Sequence, residues 1–226
     1  MRDFFRTISA IVYKDFLLEI RTKETISSLF VFSVLVMVIF NFTFEQDRTL
    51  MKRIAPGVFW VAILFAGVLG LNHSFAREKE FNGLEGMLLS PVDRGVIYLG
   101  KVISNSLFLI ITELIMFPIF EVFYNVHVFA RFHWLLLVTI LTTIGFVGVG
   151  TIFSVVALNT KMREIMLPLL LLPVSVPIII AAVESTSGIL TGVPIAAIID
   201  WIKLLSVFCL IFLIVSFLLF EYVLIE

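Results

Sequence analysis

The chain has 226 residues, of which 61% are hydrophobic and 15% are charged, and its net charge is −1. Soluble domains contain roughly 45–50% apolar and about 25% charged residues, so the apolar excess indicates a membrane protein. This composition excludes a soluble enzyme, a nucleic-acid-binding domain and a disordered chain. Cys209 is the single cysteine, which excludes a disulfide within the chain.

Residues 1–25 predict an amphipathic helix that lies in the plane of the membrane interface. On a helical projection its apolar residues share one broad face, and Arg2, Arg6 and Lys14 lie away from that face. Asp15 and Glu19, four residues apart, fall within the apolar face and do not suit lipid. Two interpretations stay open: these acids pair with basic groups of a partner protein, or the helix is a simple surface anchor.

The rest of the chain, residues 26–226, predicts a membrane domain of six spans, because a bilayer-crossing helix needs about 20 apolar residues. The predicted spans are residues 26–44, 54–75, 102–120, 134–158, 165–183 and 204–220. Between the last two, residues 184–203 are first polar and then briefly apolar at 193–199, which predicts a re-entrant or interfacial half-helix closed by Asp200 and Trp201. The predicted fold class is therefore an all-α polytopic membrane protein.

Lys and Arg predict the orientation, because cytoplasmic loops carry an excess of them. Eleven basic residues fall before span 1 and in the gaps after spans 2 and 4, against five in the other gaps. Both termini are therefore expected to be cytoplasmic.

The loop at residues 77–101 predicts a docking element. Phe81, Leu84 and Leu88 follow helical spacing with charges around them, which is typical of a short helix that lies on the membrane or docks in a partner's groove. Gly83 would permit close backbone approach. Ser90 is expected to cap the helix that runs on into span 3. The alternative is an ordinary solvated loop. The residues expected to form the docking surface are Glu80, Phe81, Gly83, Leu84, Glu85, Leu88, Pro91 and Arg94.

This loop, with its acidic-Gly-Leu stretch, Ser90-Pro91-x-x-Arg94 and Tyr98-Leu99-Gly100-Lys101, resembles the cytoplasmic loop of ABC-2-type permease subunits. The six spans and the N-terminal helix are similar too. The chain length and residues 72–101 resemble more specifically the haem exporter protein B (CcmB) family.

The resemblance implies a bacterial inner-membrane permease that contacts a separate ABC ATPase through this loop, forms a homodimer within the complex, and works with haem-handling proteins in cytochrome c maturation. It implies haem as the substrate and ATP bound by the partner. The absence of a visible haem cage favours a subunit that relays ATP-driven motion. The alternatives are an ABC-2 exporter of lipid-linked glycans or drugs, and a secondary transporter, against which the lack of an internal repeat argues.

No catalytic residue, metal site or bound cofactor is predicted, and the chain is not expected to be an enzyme. Residues 95–101 match the first seven positions of a phosphate-binding loop, but Val102 stands where Ser or Thr should hold magnesium.

Three polar residues of the spans and outer loops remain as candidates. Glu113 lies near the middle of span 3, and it is either a functional group on a span interface or a neutral acid bonded to Thr139, Thr142 or Thr143. His127 and His133 could contact haem, but two histidines six residues apart are weak evidence for this, and an interfacial aromatic belt is the favoured explanation.

Overall fold

Long apolar runs form long helices in the computed structural model, which describes residues 2–44, 48–80, 83–89, 92–158, 160 and 162–223. Within these ranges the backbone forms eight α-helices and one 3-10 turn, Val128–Arg131. The helices are α1 (Arg2–Thr22), α2 (Glu24–Thr43), α3 (Arg48–Glu80), α4 (Gly83–Leu88), α5 (Arg94–Tyr124), α6 (Phe132–Leu158), α7 (Arg163–Thr191) and α8 (Ile195–Val223).

The six predicted spans are confirmed as α2, α3, α5, α6, α7 and α8, each long and apolar enough to cross a membrane. The 20 residues of α2 give a length of about 30 Å, which matches the hydrocarbon core. With 33 residues, α3 is about 50 Å long and extends well beyond that core. Its last turn, which is rich in charged residues, therefore lies at the end of the bundle that also holds α1 and α4. We call this the basic end.

The chain reverses or bends at residues with left-handed backbone conformation. Lys23 (φ 56°) separates α1 from α2, and Asn125 (φ 49°) ends α5. Gly192 (φ 78°) ends α7, where a positive φ favours glycine because it has no Cβ. These three positions mark helix boundaries that cannot be located from the apolar pattern alone.

Helix α6 is the centre of the bundle and packs against α3, α5, α7 and α8. Its glycines make close approach possible, since a Cβ at Gly145 would lie 2.7 Å from Ile178 and one at Gly148 would lie 2.9 Å from Leu213. The Tyr98 hydroxyl donates to the Gly148 carbonyl at 3.1 Å, which ties α5 to α6. These glycines therefore allow α6 to pack tightly against its neighbours.

Aromatic side chains fill the half of the bundle remote from the basic end. Phe59 of α3 lies between Phe117 and Phe120 of α5, with ring centroids 5.2 and 5.0 Å away. Polar tips of nearby rings find partners on other helices, since Trp60 Nε1 donates to Thr186 Oγ1 and the Tyr124 hydroxyl donates to the Met37 carbonyl. This layer fixes α2, α3, α5 and α7 against one another.

The outer surface of the bundle is apolar along whole helix faces. On α2, Val31, Leu35, Ile39 and Phe42 are between 51% and 70% exposed. Many leucine, isoleucine and valine side chains of α8 are exposed in the same way. Faces of this kind suit lipid tails or another membrane helix, which is the use that the composition predicts for the apolar excess.

The separate half-helix predicted within residues 184–203 is wrong. Helix α7 continues to Thr191 and α8 begins at Ile195, so the segment forms the adjoining ends of two 29-residue helices. The polar residues that suggested a break are accommodated inside the protein, where Ser185 and Thr186 are buried. Pro168, Pro173 and Pro177 also lie within α7 without ending it.

An arginine holds the turn between α7 and α8. Arg131, in the 3-10 turn before α6, donates through Nη1 to the Val193 carbonyl at 2.6 Å and through Nη2 to the Gly192 carbonyl at 2.9 Å. A guanidinium group is well suited to the free carbonyl groups at a helix C-terminus. The two helical hairpins α5–α6 and α7–α8 are thereby joined at the end opposite to the basic end.

We expect reporter fusions after Ala130 and Gly192 to be external and a fusion after Gly86 to be cytoplasmic, because the basic end carries the excess of Lys and Arg. Paired alkaline phosphatase and fluorescent-protein fusions would measure this. A cytoplasmic signal after Gly192 would contradict the six-span topology.

Candidate functional site

The predicted docking segment joins α3 to α5 at the basic end. Helix α4 occupies its middle and packs against the end of α3. The backbone of Leu84, Glu85 and Leu88 lies in α4, whereas Phe81 and Pro91 are outside the described residues. Glu80 is exposed at the end of α3. The structure thus supplies the short helix that the spacing predicts, beginning at Gly83.

The start of α5 differs from the prediction. The N-cap is Asp93, whose carboxylate accepts a hydrogen bond from the Gly95 amide at 2.8 Å, whereas Ser90 is outside the described residues. Arg94 donates through Nη1 to the Glu221 carbonyl at 3.1 Å and so ties the end of the docking segment to α8. Aspartate caps helices as well as serine does, and sequence alone gave no reason to prefer the later residue.

Gly83 and Gly86 have different surroundings. A Cβ at Gly83 would collide with Oε2 of Glu78, so a larger residue at the start of α4 would require the Glu78 side chain to shift. At Gly86 a Cβ would meet nothing within 4 Å among the described residues. Close approach at Gly83 therefore serves contacts within this chain.

A buried lysine stands at the centre of the basic end. Lys101 of α5 is 1% exposed, and its Nζ lies 3.0 and 2.9 Å from the two carboxylate oxygens of Asp15 in α1. It also contacts Oε1 of Glu78 in α3. Removing one partner of such a buried pair typically costs about 3–5 kcal/mol, because the remaining charge is left uncompensated.

Lys14 completes this group of charges. Its Nζ lies 2.7 Å from Glu78 and 3.4 Å from Asp15. Burial lowers the pKa of the Lys14 ammonium group, but the hydrogen bond to Glu78 and the charges of Asp15 and Glu78 outweigh burial and raise the pKa above its ordinary value. Lys14 therefore stays protonated at neutral pH, and we call Lys14, Asp15, Glu78 and Lys101 the charge cluster.

The acids of α1 face this chain's own helices. Ile11, Asp15 and Glu19 are buried at successive intervals of four residues, which places them on one side of α1. Glu19 Oε1 accepts a hydrogen bond from the Ile26 amide, and its Oε2 lies 3.6 Å from Arg77. Lys101 and Arg77 of this chain are therefore the cations that face Asp15 and Glu19. The interpretation that these acids pair with basic groups of a separate protein is wrong.

Glu113 is completely buried between α5 and α6. The Thr143 hydroxyl lies 2.9 Å from both of its carboxyl oxygens. None of the ion pairs formed within the described residues involves Glu113. Of the three threonines considered from the sequence, Thr143 is the one recorded in contact with the carboxyl group, and this arrangement favours the structural interpretation.

His127 and His133 are exposed at the opposite end of the molecule from the charge cluster. The His133 ring lies 5.7 Å from that of Trp134, as expected of an aromatic belt. Among the described residues there is no group of three His, Cys, Asp or Glu that could hold a metal ion. A haem contact at these histidines stays a prediction.

An open cleft of about 600 Å³ lies between α3 and α7. Leu69, Asn72, His73 and Glu164 are among its lining residues. His73 Nε2 lies 3.3 Å from Glu24, so this third histidine already has a carboxylate neighbour. The cleft combines apolar and polar walls, but it contains no cluster of ligands.

The architecture defines a multi-pass α-helical membrane protein with an amphipathic N-terminal helix and a short helix between its second and third spans. A family model described as CcmB protein matches residues 6–221, and the chain belongs to this family.

Several curated relatives have the name Heme exporter protein B, and three of them are similar to this chain over most of its length. The protein from Pseudomonas aeruginosa is 25% identical over 203 residues, covering 89% of this chain and 90% of the relative. The one from Haemophilus influenzae is 27% identical and covers 76% of this chain and 77% of its own length. The one from Rhodobacter capsulatus is 25% identical, with 83% and 87% covered. The family suggested by the loop motif is confirmed, and the match includes both α1 and the docking segment.

We expect Glu113→Gln to keep wild-type stability, because the amide can still bond to Thr143. Glu113→Leu should lower the free energy of unfolding by about 1 kcal/mol, since it leaves a buried hydroxyl unpaired. Unfolding by dodecyl sulfate in mixed micelles would measure both.

Thr143→Val is the matched control for this pair. The double variant Glu113→Leu, Thr143→Val should lose less stability than the sum of the single variants. An equal loss of activity in Glu113→Gln and Glu113→Leu, with stability unchanged, would show instead that Glu113 acts as an anion.

Proposed function

We propose that this chain is the permease subunit of an ABC-type complex that handles haem during c-type cytochrome biogenesis. The observation that carries the proposal is the family match over residues 6–221, which runs from α1 through the docking segment to the end of α8. The printed name of the curated relatives, Heme exporter protein B, points to the same substrate. Haem is the substrate of the complex in this proposal, and this chain relays ATP-driven motion to haem-handling partner proteins.

The chain depends on a separate ATPase in this proposal. Its residues 95–101 lack the Ser or Thr that should follow them in a phosphate-binding loop. In the structure the same residues lie within α5, a continuous helix, and not in a loop between a strand and a helix. ATP hydrolysis therefore belongs to the partner, and this subunit transmits its motion.

Helix α4 is the proposed contact with that ATPase. It stands between two helices that continue into the membrane, so a force applied to it reaches α3 and α5 directly. Leu89, directly after α4, is 89% exposed, which adds an apolar side chain to the surface predicted from Leu84 and Leu88. An exposed apolar side chain beside charged residues is typical of a surface that docks in a groove.

The complex is proposed to contain two copies of this chain and two ATPase subunits in the bacterial inner membrane, with both termini of each copy in the cytoplasm. The exposed apolar face of α2 supplies a surface that a second copy could cover. The basic end then faces the ATPases, in agreement with the distribution of Lys and Arg.

The docking role predicts that Leu84→Asp abolishes association with the ATPase, because a charge would be placed in an apolar groove. Leu89→Asp should weaken association without disturbing the fold, because that side chain is exposed. Co-purification in mild detergent would measure both variants.

Phe129→Asp is the matched control, since Phe129 is 55% exposed at the opposite end of the bundle. This variant should retain the ATPase. Normal binding and stimulation of the ATPase by Leu84→Asp would exclude α4 as the docking element.

The haem function predicts that deletion of the gene eliminates c-type cytochromes that carry covalent haem, while b-type cytochromes persist. A catalytically inactive partner ATPase should reproduce the defect, because energy coupling is the proposed role. Haem-stained gels of membrane and periplasmic fractions would show both results. Normal c-type cytochromes in the deletion strain would contradict the haem assignment and leave an ABC-2 exporter of glycans or drugs.

A further inference from the structure

The charge cluster connects the three helices that surround the docking segment. Asp15 belongs to α1, Glu78 to the last turn of α3, and Lys101 to the beginning of α5. The Lys101 ammonium group touches both carboxylates and is 1% exposed. One buried cation therefore joins the helices before and after α4 to the N-terminal helix.

Helix α4 rests directly on this cluster. A Cβ at Gly83 would collide with Oε2 of Glu78, so the start of α4 lies close to this carboxylate, and its other oxygen contacts Lys101. A displacement of α4 towards α3 must therefore push on Glu78. Because Glu78 is bound to Lys101, the displacement is passed on to α5 and to Asp15 in α1.

Packing beside the cluster holds α1 at the same place. A Cβ at Gly100 would lie 2.9 Å from Cγ2 of Ile11, so α1 lies against a point of α5 that has no side chain. Lys14 adds a second contact from α1 to Glu78, at 2.7 Å. Two cations face two carboxylates, and the cluster is neutral as a whole. This balance suits a joint between helices better than a site that attracts a charged ligand.

We infer that Lys101, held by Asp15 and Glu78, is a positioning residue that fixes α4 relative to α1 and α5, so that motion of the ATPase is transmitted to the spans. This inference rests on the proposed function. Separating a buried ion pair leaves each charge uncompensated in a medium of low dielectric. The joined helices therefore move together, and α1 acts as part of the coupling mechanism in addition to lying at the membrane surface.

The test uses the complete complex with its ATPase and measures two properties of each variant. Binding of the ATPase is measured by co-purification, and coupling is measured as c-type cytochrome formed in cells that contain equal amounts of the complex. Lys101→Met should retain the ATPase, because the α4 surface is unchanged, while cytochrome formation falls by about tenfold, within the range of typical coupling effects. Lys203→Met is the matched control: it removes the lysine of an exposed pair with Asp200 and should leave both properties unchanged.

A conservative variant separates positioning by charge from simple damage to the fold. Lys101→Arg keeps a cation beside Asp15 and Glu78, and it should retain most of the coupling that is lost in Lys101→Met. Asp15→Asn preserves the shape and the contact between Lys101 and Glu78, so it should accumulate normally and lose coupling by a smaller factor.

Three results would overturn the inference. They are wild-type coupling in Lys101→Met, wild-type coupling in Asp15→Asn, and a well-folded Lys101→Arg variant that couples no better than Lys101→Met. If Lys101→Met does not accumulate, Asp15→Asn alone decides the question. Reduced coupling in that variant would support the inference, and wild-type coupling would contradict it. Failure of the wild-type chain to bind any ATPase would contradict the proposed function itself.

Discussion

The need to compensate a buried positive charge determines how the basic end of this protein is built. An isolated ammonium group costs several kcal/mol to remove from water, so Lys101 requires its two carboxylate partners. Asp15 and Glu78 are 86 and 23 residues away along the chain, and the compensation forms only when α1, α3 and α5 are assembled. The lysine therefore makes the N-terminal helix an integral part of the bundle.

The remaining contacts divide the molecule into two halves with different chemistry. At the basic end, Lys79 donates to the Leu158 carbonyl at the end of α6, and Arg94 donates to the Glu221 carbonyl. Cations there meet carboxylates and helix C-termini. In the other half, aromatic rings pack together and single hydrogen bonds such as that from Trp60 to Thr186 join the helices. The glycines of α6 allow this central helix to pack closely against its neighbours in both halves.

The sequence predicts the number of spans and the short helix of the docking segment, because continuous apolar runs and helical spacing are local signals. It does not reveal the partners of Asp15 and Glu19, since a helical projection shows which face a residue occupies and not what covers that face. The prediction of a separate half-helix within residues 184–203 fails for a related reason. Ser185 and Thr186 look like a polar loop in the sequence, but Thr186 accepts a hydrogen bond from Trp60 of α3, 126 residues distant. The sequence shows that Glu113 is an unusual acid within an apolar span. Its pairing with Thr143 could not be predicted, because it depends on the register of α5 against α6.

Arg131 has a mechanical consequence for the whole bundle. By binding the carbonyl groups of Gly192 and Val193, it makes the far ends of two helical hairpins a common pivot. A rod held at one end can only swing, so displacement grows with distance from the pivot. The 29 residues of α7 make a lever about 43 Å long, and a swing of about 5° moves its free end by about 4 Å. If the bundle pivots at this turn, the largest excursions occur beside the docking segment, and the smallest occur where Arg131 holds the turn.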